Sequence, residues 1–271
     1  MTERGIKIAI SGKGGVGKTT LAAALSLLLA DRGGKVLAVD ADPDGSLAAA
    51  LGIDPAIRSQ IVPIAQHKAL IEERTGAKVK QYGQMFRLNP QVDDVAELCA
   101  VRAGSHGNIA LLVLGAIEAG GSGCACPESI LLRALVSDLV LHKGDALVMD
   151  MEAGVEHLGR ATARGVDCML IVVEPSRRSV DSARRVIELA GQIGLTRIGL
   201  VGNKIESAEQ ERFCREALPG ATFVGMIPFA PSLPEADRQE RSVLDGASPA
   251  LRAAFEKILA AVEIGRPGND E

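Results

Sequence analysis

The chain has no tryptophan, one tyrosine and five phenylalanines among its 271 residues. A core led by aromatic side chains is therefore excluded. With hydrophobic residues at 47%, the core has to be aliphatic, which suits a Val/Ile/Leu-rich parallel sheet. Positive charge is not in surplus either: the formal net charge is -4, so no global field draws the chain toward nucleic acid or anionic lipid. No apolar run is long enough to span a bilayer. No export signal opens the sequence, since Thr2-Glu3-Arg4 runs straight into apolar sequence.

What is present begins at Gly12-Lys13-Gly14-Gly15-Val16-Gly17-Lys18-Thr19. The segment fits the phosphate-cradling pattern Gly-x4-Gly-Lys-[Ser/Thr], and its context is right. The apolar run Ile6 to Ile10 precedes it as a strand, and Ala- and Leu-rich sequence from Thr20 to Ala30 follows it as a helix. Glycines let backbone N–H groups curl around phosphate oxygens, and the helix N-terminus adds favourable partial charge. Lys18 is expected at the β- and γ-phosphates and the Thr19 hydroxyl on Mg²⁺. A P-loop enzyme without an export signal is expected in the cytoplasm. There its five cysteines serve as thiols, ligands or catalytic groups rather than disulfides.

Strands and helices alternate along the rest of the chain. Predicted strands are Lys35–Val39, Met85–Leu88, Ile109–Leu114, Ala146–Met149, Cys168–Val173, Ile198–Val201 and Phe223–Ile227. Predicted helices cover Ser46–Leu51, His67–Thr75, Ser129–Leu141 with Pro127 at the first helical position, Val180–Ile193 and Ala208–Ala217. Ser207 with Gln210 reads as a capping box, while Ser232 with Glu235 and Ser248-Pro249 mark two closing helix starts. The stretch Ile53–Gly107 reads as a long excursion over the nucleotide face. The expected fold class is α/β: a doubly wound, mainly parallel sheet flanked by helices. No internal repeat or linker breaks the pattern, so residues 1–271 read as a single P-loop domain with a flexible tail from about Gly265.

In open α/β sheets ligands gather at the carboxyl ends of strands, and three such ends carry suitable chemistry. Asp40, Asp42 and Asp44 follow Val39; a carboxylate there can orient an attacking water or hold a Mg²⁺-bound water. Asp150-Met151-Glu152-Ala153-Gly154 follows Met149, placing an Asp at the metal and a Gly N–H where it can sense the γ-phosphate. Asn203 and Lys204 follow the strand ending at Val201, with Asn203 able to meet the adenine edge.

Among the cysteines, Cys168, Cys214 and Cys99 read as packing residues. Cys124-Ala125-Cys126 stands apart, in a glycine-rich loop leading into a helix N-terminus, a location that favours thiolate. Two thiolates give a soft metal only half a tetrahedron. Two chains meeting across a two-fold axis would supply four sulfurs, suited to Zn²⁺ or, in a more planar arrangement, Ni²⁺. Two incidental thiols or a redox-active pair are the alternatives. His157 reads as a helix-start histidine or a group beside the metal region. Arg177, Arg178, Arg184 and Arg185 read as a solvated helix edge, with client docking as the other reading.

The loop Lys13-Gly14-Gly15-Val16-Gly17-Lys18-Thr19-Thr20 resembles the deviant Walker A loop of the MinD/ParA/nitrogenase iron-protein class. The resemblance extends to the Asp40-x-Asp42-Pro43 stretch (switch I), the Asp150–Gly154 stretch (switch II) and Asn203-Lys204. It implies an ATP-dependent homodimer in which Lys13 crosses to the partner's nucleotide. It further implies that Asp42 activates water, that Asp40 and Asp150 lie near Mg²⁺, and that the nucleotide contacts run from Gly12, Gly14, Gly15, Val16, Gly17, Lys18, Thr19 and Thr20 to Pro228. Gly121-Ser122-Gly123-Cys124-Ala125-Cys126-Pro127-Glu128, Met149 to Leu158 and Val173-Glu174-Pro175-Ser176 narrow the resemblance to the CooC-type carbon monoxide dehydrogenase maturation ATPases. That family implies one metal ion, Ni²⁺ or Zn²⁺, held by Cys124 and Cys126 of two subunits. It also implies nickel delivery to carbon monoxide dehydrogenase as client, with ATP- and metal-dependent dimerisation.

Three alternatives remain. Acetyl-CoA synthase maturation relatives share the same parts. A spatial-organising ATPase of the MinD/ParA type would want a basic amphipathic C-terminal helix, whereas Arg252 and Lys257 are offset by Glu256 and Glu263. An iron–sulfur reductase would want a cysteine soon after switch II, and none lies between Gly154 and Cys168. No partnership with nucleic acid or membrane is expected.

Overall fold

Runs such as Lys7–Ser11 and Cys168–Val173 bury every residue, as parallel strands covered on both faces do. The structure, a computed structural model, describes residues 5–42, 45–79, 81, 84–103, 107–115, 126–141, 145–155 and 158–264. Its strands are β1 (Lys7–Ser11), β2 (Val36–Ala41), β3 (Val101–Ala103), β4 (Ile109–Val113), β5 (Ala146–Met151), β6 (Cys168–Val173), β7 (Ile198–Ile205) and β8 (Phe223–Pro228). They form one eight-stranded sheet in the order β3-β4-β2-β5-β1-β6-β7-β8. Only β3 runs antiparallel to its neighbour; the remaining pairs are parallel. The doubly wound α/β expectation holds.

Two aliphatic cores sandwich the sheet. On one side the helices Lys18–Asp31 and Pro249–Ile264 bring Leu21, Leu25, Leu251, Phe255, Ile258 and Val262 into the core. On the other, Lys68–Thr75, Pro127–Leu141 and Arg177–Gln192 bring in Ile71, Leu131, Leu135, Leu139, Val180 and Val186. Among the described residues, no helix is long and apolar enough to cross a membrane.

Some expectations need correction. Met85–Leu88 forms no strand: Met85 is 96% exposed and Leu88 69%, so the segment buries no apolar face against the sheet. The sheet edge is instead the three-residue β3, too short to leave a periodic signal. Ile53–Gly107 is also more ordered than an excursion, containing Pro55–Arg58, a 3-10 turn at Ile64–Gln66, Lys68–Thr75 and Val95–Cys99. The helix expected from Val180 begins at Arg177, because Ser176 caps it by accepting the Ser179 N–H. The helix start marked at Ser232 is where the helix Ser232–Arg238 begins, though without a side-chain cap; Glu235 bonds Arg238 and Gln239. Ser248 does cap, accepting Leu251 N–H at 3.2 Å, and Ser207 accepts Gln210 N–H. The tail from Gly265 lies outside the described residues.

Among the described residues, Lys7, Asp40 and Asp150 are charged side chains that lie wholly inside. Lys7, on β1, is 0% exposed, and its ammonium donates to Val140 O and Leu139 O. Those are carbonyls of the last turn of Pro127–Leu141, which have no intrahelical partner, and a cation there also complements the helix dipole. Lys7→Ala removes this donor and leaves a gap in the core. It should lower stability by about 2–4 kcal/mol, measured as a shift of the urea midpoint with unchanged slope.

Candidate nucleotide-binding site

The loop between β1 and the helix Lys18–Asp31 needs its glycines for stated reasons. Gly17 has φ 99°, and a Cβ there would stand 2.2 Å from the Asn203 amide nitrogen. Gly12 has φ 150°, and a Cβ would meet Val172 O at 2.6 Å. Val16 is fully buried and anchors the loop, while its N–H donates to Lys13 O at 3.3 Å. Lys13 itself is half-buried at the loop's entrance. From the end of β7, Asn203 donates its side-chain N–H to Val16 O at 2.7 Å and Lys204 its ammonium to Gly15 O at 2.7 Å.

Strand register brings the acidic groups to the same place. Asp40 on β2 is paired in register with Asp150 on β5, and Ile10 on β1 faces Asp150 from the other side. Thr19 donates its hydroxyl to Asp150 Oδ2 at 2.6 Å, and Ser46 lies 3.2 Å from the same hydroxyl. Lys18 is 6% exposed, with its ammonium 3.3 Å from the Asp42 carboxylate. Asp40 accepts N–H groups from Leu47 at 2.9 Å and Asp42 at 3.3 Å, so it fixes the turn that carries Asp42. Gly154 N–H donates to Ser11 Oγ at 3.1 Å.

Burial is the largest influence on both inner carboxyls. It pushes Asp40 up to about 6, against the two N–H bonds that hold it down. It pushes Asp150 up to about 7; the Thr19 bond opposes this and the neighbouring Asp40 charge adds to it. Asp150 Oδ1 is buried with no hydrogen-bond partner among the described residues. A buried carboxylate oxygen without a donor, beside a hydroxyl, is the chemistry a hard divalent cation such as Mg²⁺ takes.

Beside the loop lies a cavity of about 370 Å³, bordered by Gly15, Gly17, Thr19, Thr20, Asn203, Lys204, Pro228, Phe229, Leu233 and Asp237. Its walls are mostly apolar, with a few polar groups among them, as in small-molecule sites. The sequence reading reached Pro228 and missed Phe229, Leu233 and Asp237. Phe229 follows β8 directly, but Leu233 and Asp237 lie on the helix Ser232–Arg238 and join the cavity only through the fold. Ser11 and Ser46 were missed as well.

Cys126 immediately precedes the helix Pro127–Leu141. Its sulfur accepts Ser129 N–H at 3.4 Å and lies 3.1 Å from Ser129 Oγ. Cys168 and Cys214 are buried, and Cys99 is half-buried against the core, in line with a packing role. Among the described residues, no group of three His, Cys, Asp or Glu could hold a metal ion. Pro43, Asp44, Gly121, Gly123, Cys124, His106, His142 and His157 lie outside the described residues.

Comparison with known proteins fits this geometry. The family described as the CobQ/CobB/MinD/ParA nucleotide binding domain matches residues 7–243. The chain belongs to this family. As a family member it is a P-loop ATPase. The carbon monoxide dehydrogenase accessory protein CooC of Rhodospirillum rubrum is 39% identical over 257 residues, 95% of this chain and 96% of the relative. An uncharacterized ATP-binding protein of Methanocaldococcus jannaschii is 44% identical over 227 residues, 83% of this chain and 85% of the relative. In fold, the chain is similar to the septum site-determining protein MinD complexed with Mg-ADP from Pyrococcus horikoshii. The TM-score is 0.65 at 21% identity, covering 95% of this chain and 96% of that one.

The raised carboxyl of Asp150 has a consequence for stability. Its folded pKa exceeds that of the unfolded chain, so the folded state holds its proton more tightly. Stability conferred by that proton is full below about pH 4 and is lost as pH rises through about 7. Ligand-free protein should therefore show a melting temperature that falls between pH 5 and 8. Asp150→Asn should flatten that slope and gain a few kcal/mol at pH 8, since each tenfold change in proton affinity is worth about 1.4 kcal/mol. Calorimetry of both proteins across that range checks it.

Proposed function

We propose that this ATPase is a cytoplasmic metallochaperone working as one domain over residues 1–271. In this reading it dimerises with ATP and metal, holds Ni²⁺ or Zn²⁺ between the Cys124 and Cys126 pairs of two subunits, and assists nickel insertion into carbon monoxide dehydrogenase. The observation that carries the reading is the 39% identity, along 95% of the chain, to a protein named as a carbon monoxide dehydrogenase accessory protein. Cys126 supports it: it directly precedes the 15-residue helix Pro127–Leu141, and its sulfur accepts the Ser129 N–H of that helix's first turn.

In the ATP cycle so proposed, the triphosphate lies over Gly12 to Gly17 and the base enters the cavity between Asn203 and Pro228. Lys18 leaves Asp42 for the β- and γ-phosphates, and Asp42, freed of its cation, orients the attacking water. Gly154 N–H turns from Ser11 toward the γ-phosphate, and Lys13 reaches the nucleotide of the second subunit. Mg²⁺ would be held by Thr19, with Asp150 and Asp40 behind it, and would neutralise charge on the phosphates. Water attacks the γ-phosphorus, the bond to the β-phosphate oxygen breaks, and ADP and phosphate leave.

A membrane-organising role of the MinD type finds less support. The apolar face of Pro249–Ile264 (Leu251, Phe255, Ile258, Leu259, Val262) is entirely buried against the sheet, so it is not displayed to a bilayer. Acetyl-CoA synthase maturation would use the same site with another client. Metal analysis combined with light scattering tests the proposal. Wild type should bind about half an equivalent of Ni²⁺ or Zn²⁺ per chain, two pairs of thiolates sharing one four-coordinate ion. Cys124→Ser/Cys126→Ser should lose the metal and metal-induced dimerisation while still binding ATP. Unchanged metal content in the variant, or stoichiometric iron with sulfide in the wild type, would sink the reading.

A further inference from the structure

The end of β7 departs from regular sheet where it meets the nucleotide loop. Gly202 pairs with Met226 and Ile205 with Pro228 on β8, so two residues of β7 stand against one of β8. This bulge holds Asn203 and Lys204, and bulges re-aim side chains. Lys204 adopts φ 58°, a left-handed conformation that a lysine takes only at a cost. The surrounding structure must hold it there.

What the strained backbone achieves is an ion pair across the site. The Lys204 ammonium lies 2.7 Å from Gly15 O, at the apex of the loop, and 3.3 Å from Glu174 Oε2, just past the end of β6. Glu174 is itself fixed. Ser176 donates its hydroxyl to Glu174 Oε1 at 3.3 Å, and the Glu174 N–H donates to Ser179 Oγ at 3.1 Å. Both serines belong to the capped start of the helix Arg177–Gln192. A continuous polar chain thus runs from that helix through Glu174 and Lys204 to the loop carbonyl. A Cβ at Gly15 would meet nothing within 4 Å.

We propose that Glu174 is a positioning residue of the ATP site, acting through Lys204 to hold the apex of the phosphate loop in its binding shape. Glu174 touches no nucleotide in this role. It directs the Lys204 ammonium onto Gly15 O, which fixes the orientation of the Gly15–Val16 peptide at the apex of the loop. The strut therefore governs nucleotide retention more than the chemical step.

Stopped-flow release of a fluorescent ADP, with steady-state hydrolysis, tests this on the full chain. Glu174→Ala and Lys204→Ala should each speed release about fivefold, the scale of a partly exposed ion pair. Glu174→Ala should raise KM while kcat at saturating ATP stays within about twofold. The double variant should release no faster than Lys204→Ala alone, because both act through one contact. Glu174→Gln, whose amide oxygen still accepts, should recover part of the loss. Lys204→Gly separates this role from folding: it relieves the left-handed strain and should melt above Lys204→Ala, yet release ADP just as fast. Release at the wild-type rate in Glu174→Ala, full additivity in the double variant, or release that simply follows melting temperature would overturn the proposal.

Discussion

The register of β2, β5 and β1 is the constraint on which the site depends. Side chains alternate across a strand, so a slip of one residue would turn a whole strand's inner set to the opposite face. Asp40 stands opposite Asp150, and Ile10 opposite Asp150, only in the observed pairing. That pairing sets two carboxyls side by side beneath the first turn of the helix Lys18–Asp31, where Thr19 reaches down to one of them. It is fixed by aliphatic packing far from the polar end, through residues such as Val36, Ala146 and Leu147 that are buried on these strands. The core therefore determines the geometry of the chemistry.

Placing polar groups in so buried a position obliges them to find partners, and here they find each other. Lys18 pairs with Asp42, Thr19 with Asp150, Gly154 with Ser11 and Asn203 with Val16. A phosphate or a cation entering the site has to exchange these internal bonds for its own. The exchange couples separate chain segments, since a ligand that takes Lys18 breaks its pair with Asp42, and one that takes the Gly154 N–H breaks its bond to Ser11. Such a set of swaps gives a nucleotide differential contacts in two arrangements, which any ligand-driven change requires.

How much of this was legible follows from the length scale of each signal. The P-loop, the strand–helix alternation and the acidic strand ends are local patterns of four to eight residues, and the structure has them where the sequence suggested. One helix boundary moved because of its cap, with Ser176 rather than Val180 setting the start, and the strand expected to end at Val201 runs on to Ile205 through a bulge. Three features were out of reach because they depend on non-local contacts. Lys7 reads as a polar interruption of a strand until the last turn of Pro127–Leu141 is seen above it. Glu174 reads as a loop carboxylate until β7 brings Lys204 to it. Phe229 and Asp237 join the cavity only once the segment after β8 folds back over Thr20.

Lys7 also places the two proposed centres in one frame. Its strand, β1, opens at the far end into the phosphate loop, and its ammonium holds the C-terminus of the helix whose other end begins at Cys126. That helix is packed along its length by Leu131, Leu135 and Leu139 against the sheet. Close-packed interiors shift between discrete arrangements rather than bending continuously. In the proposed dimer, a change of nucleotide would therefore reach Cys126 less by deforming this helix than by moving one whole subunit against the other. In a site made from two subunits' sulfurs, a rigid-body movement of that kind alters the distance between the sulfur pairs directly.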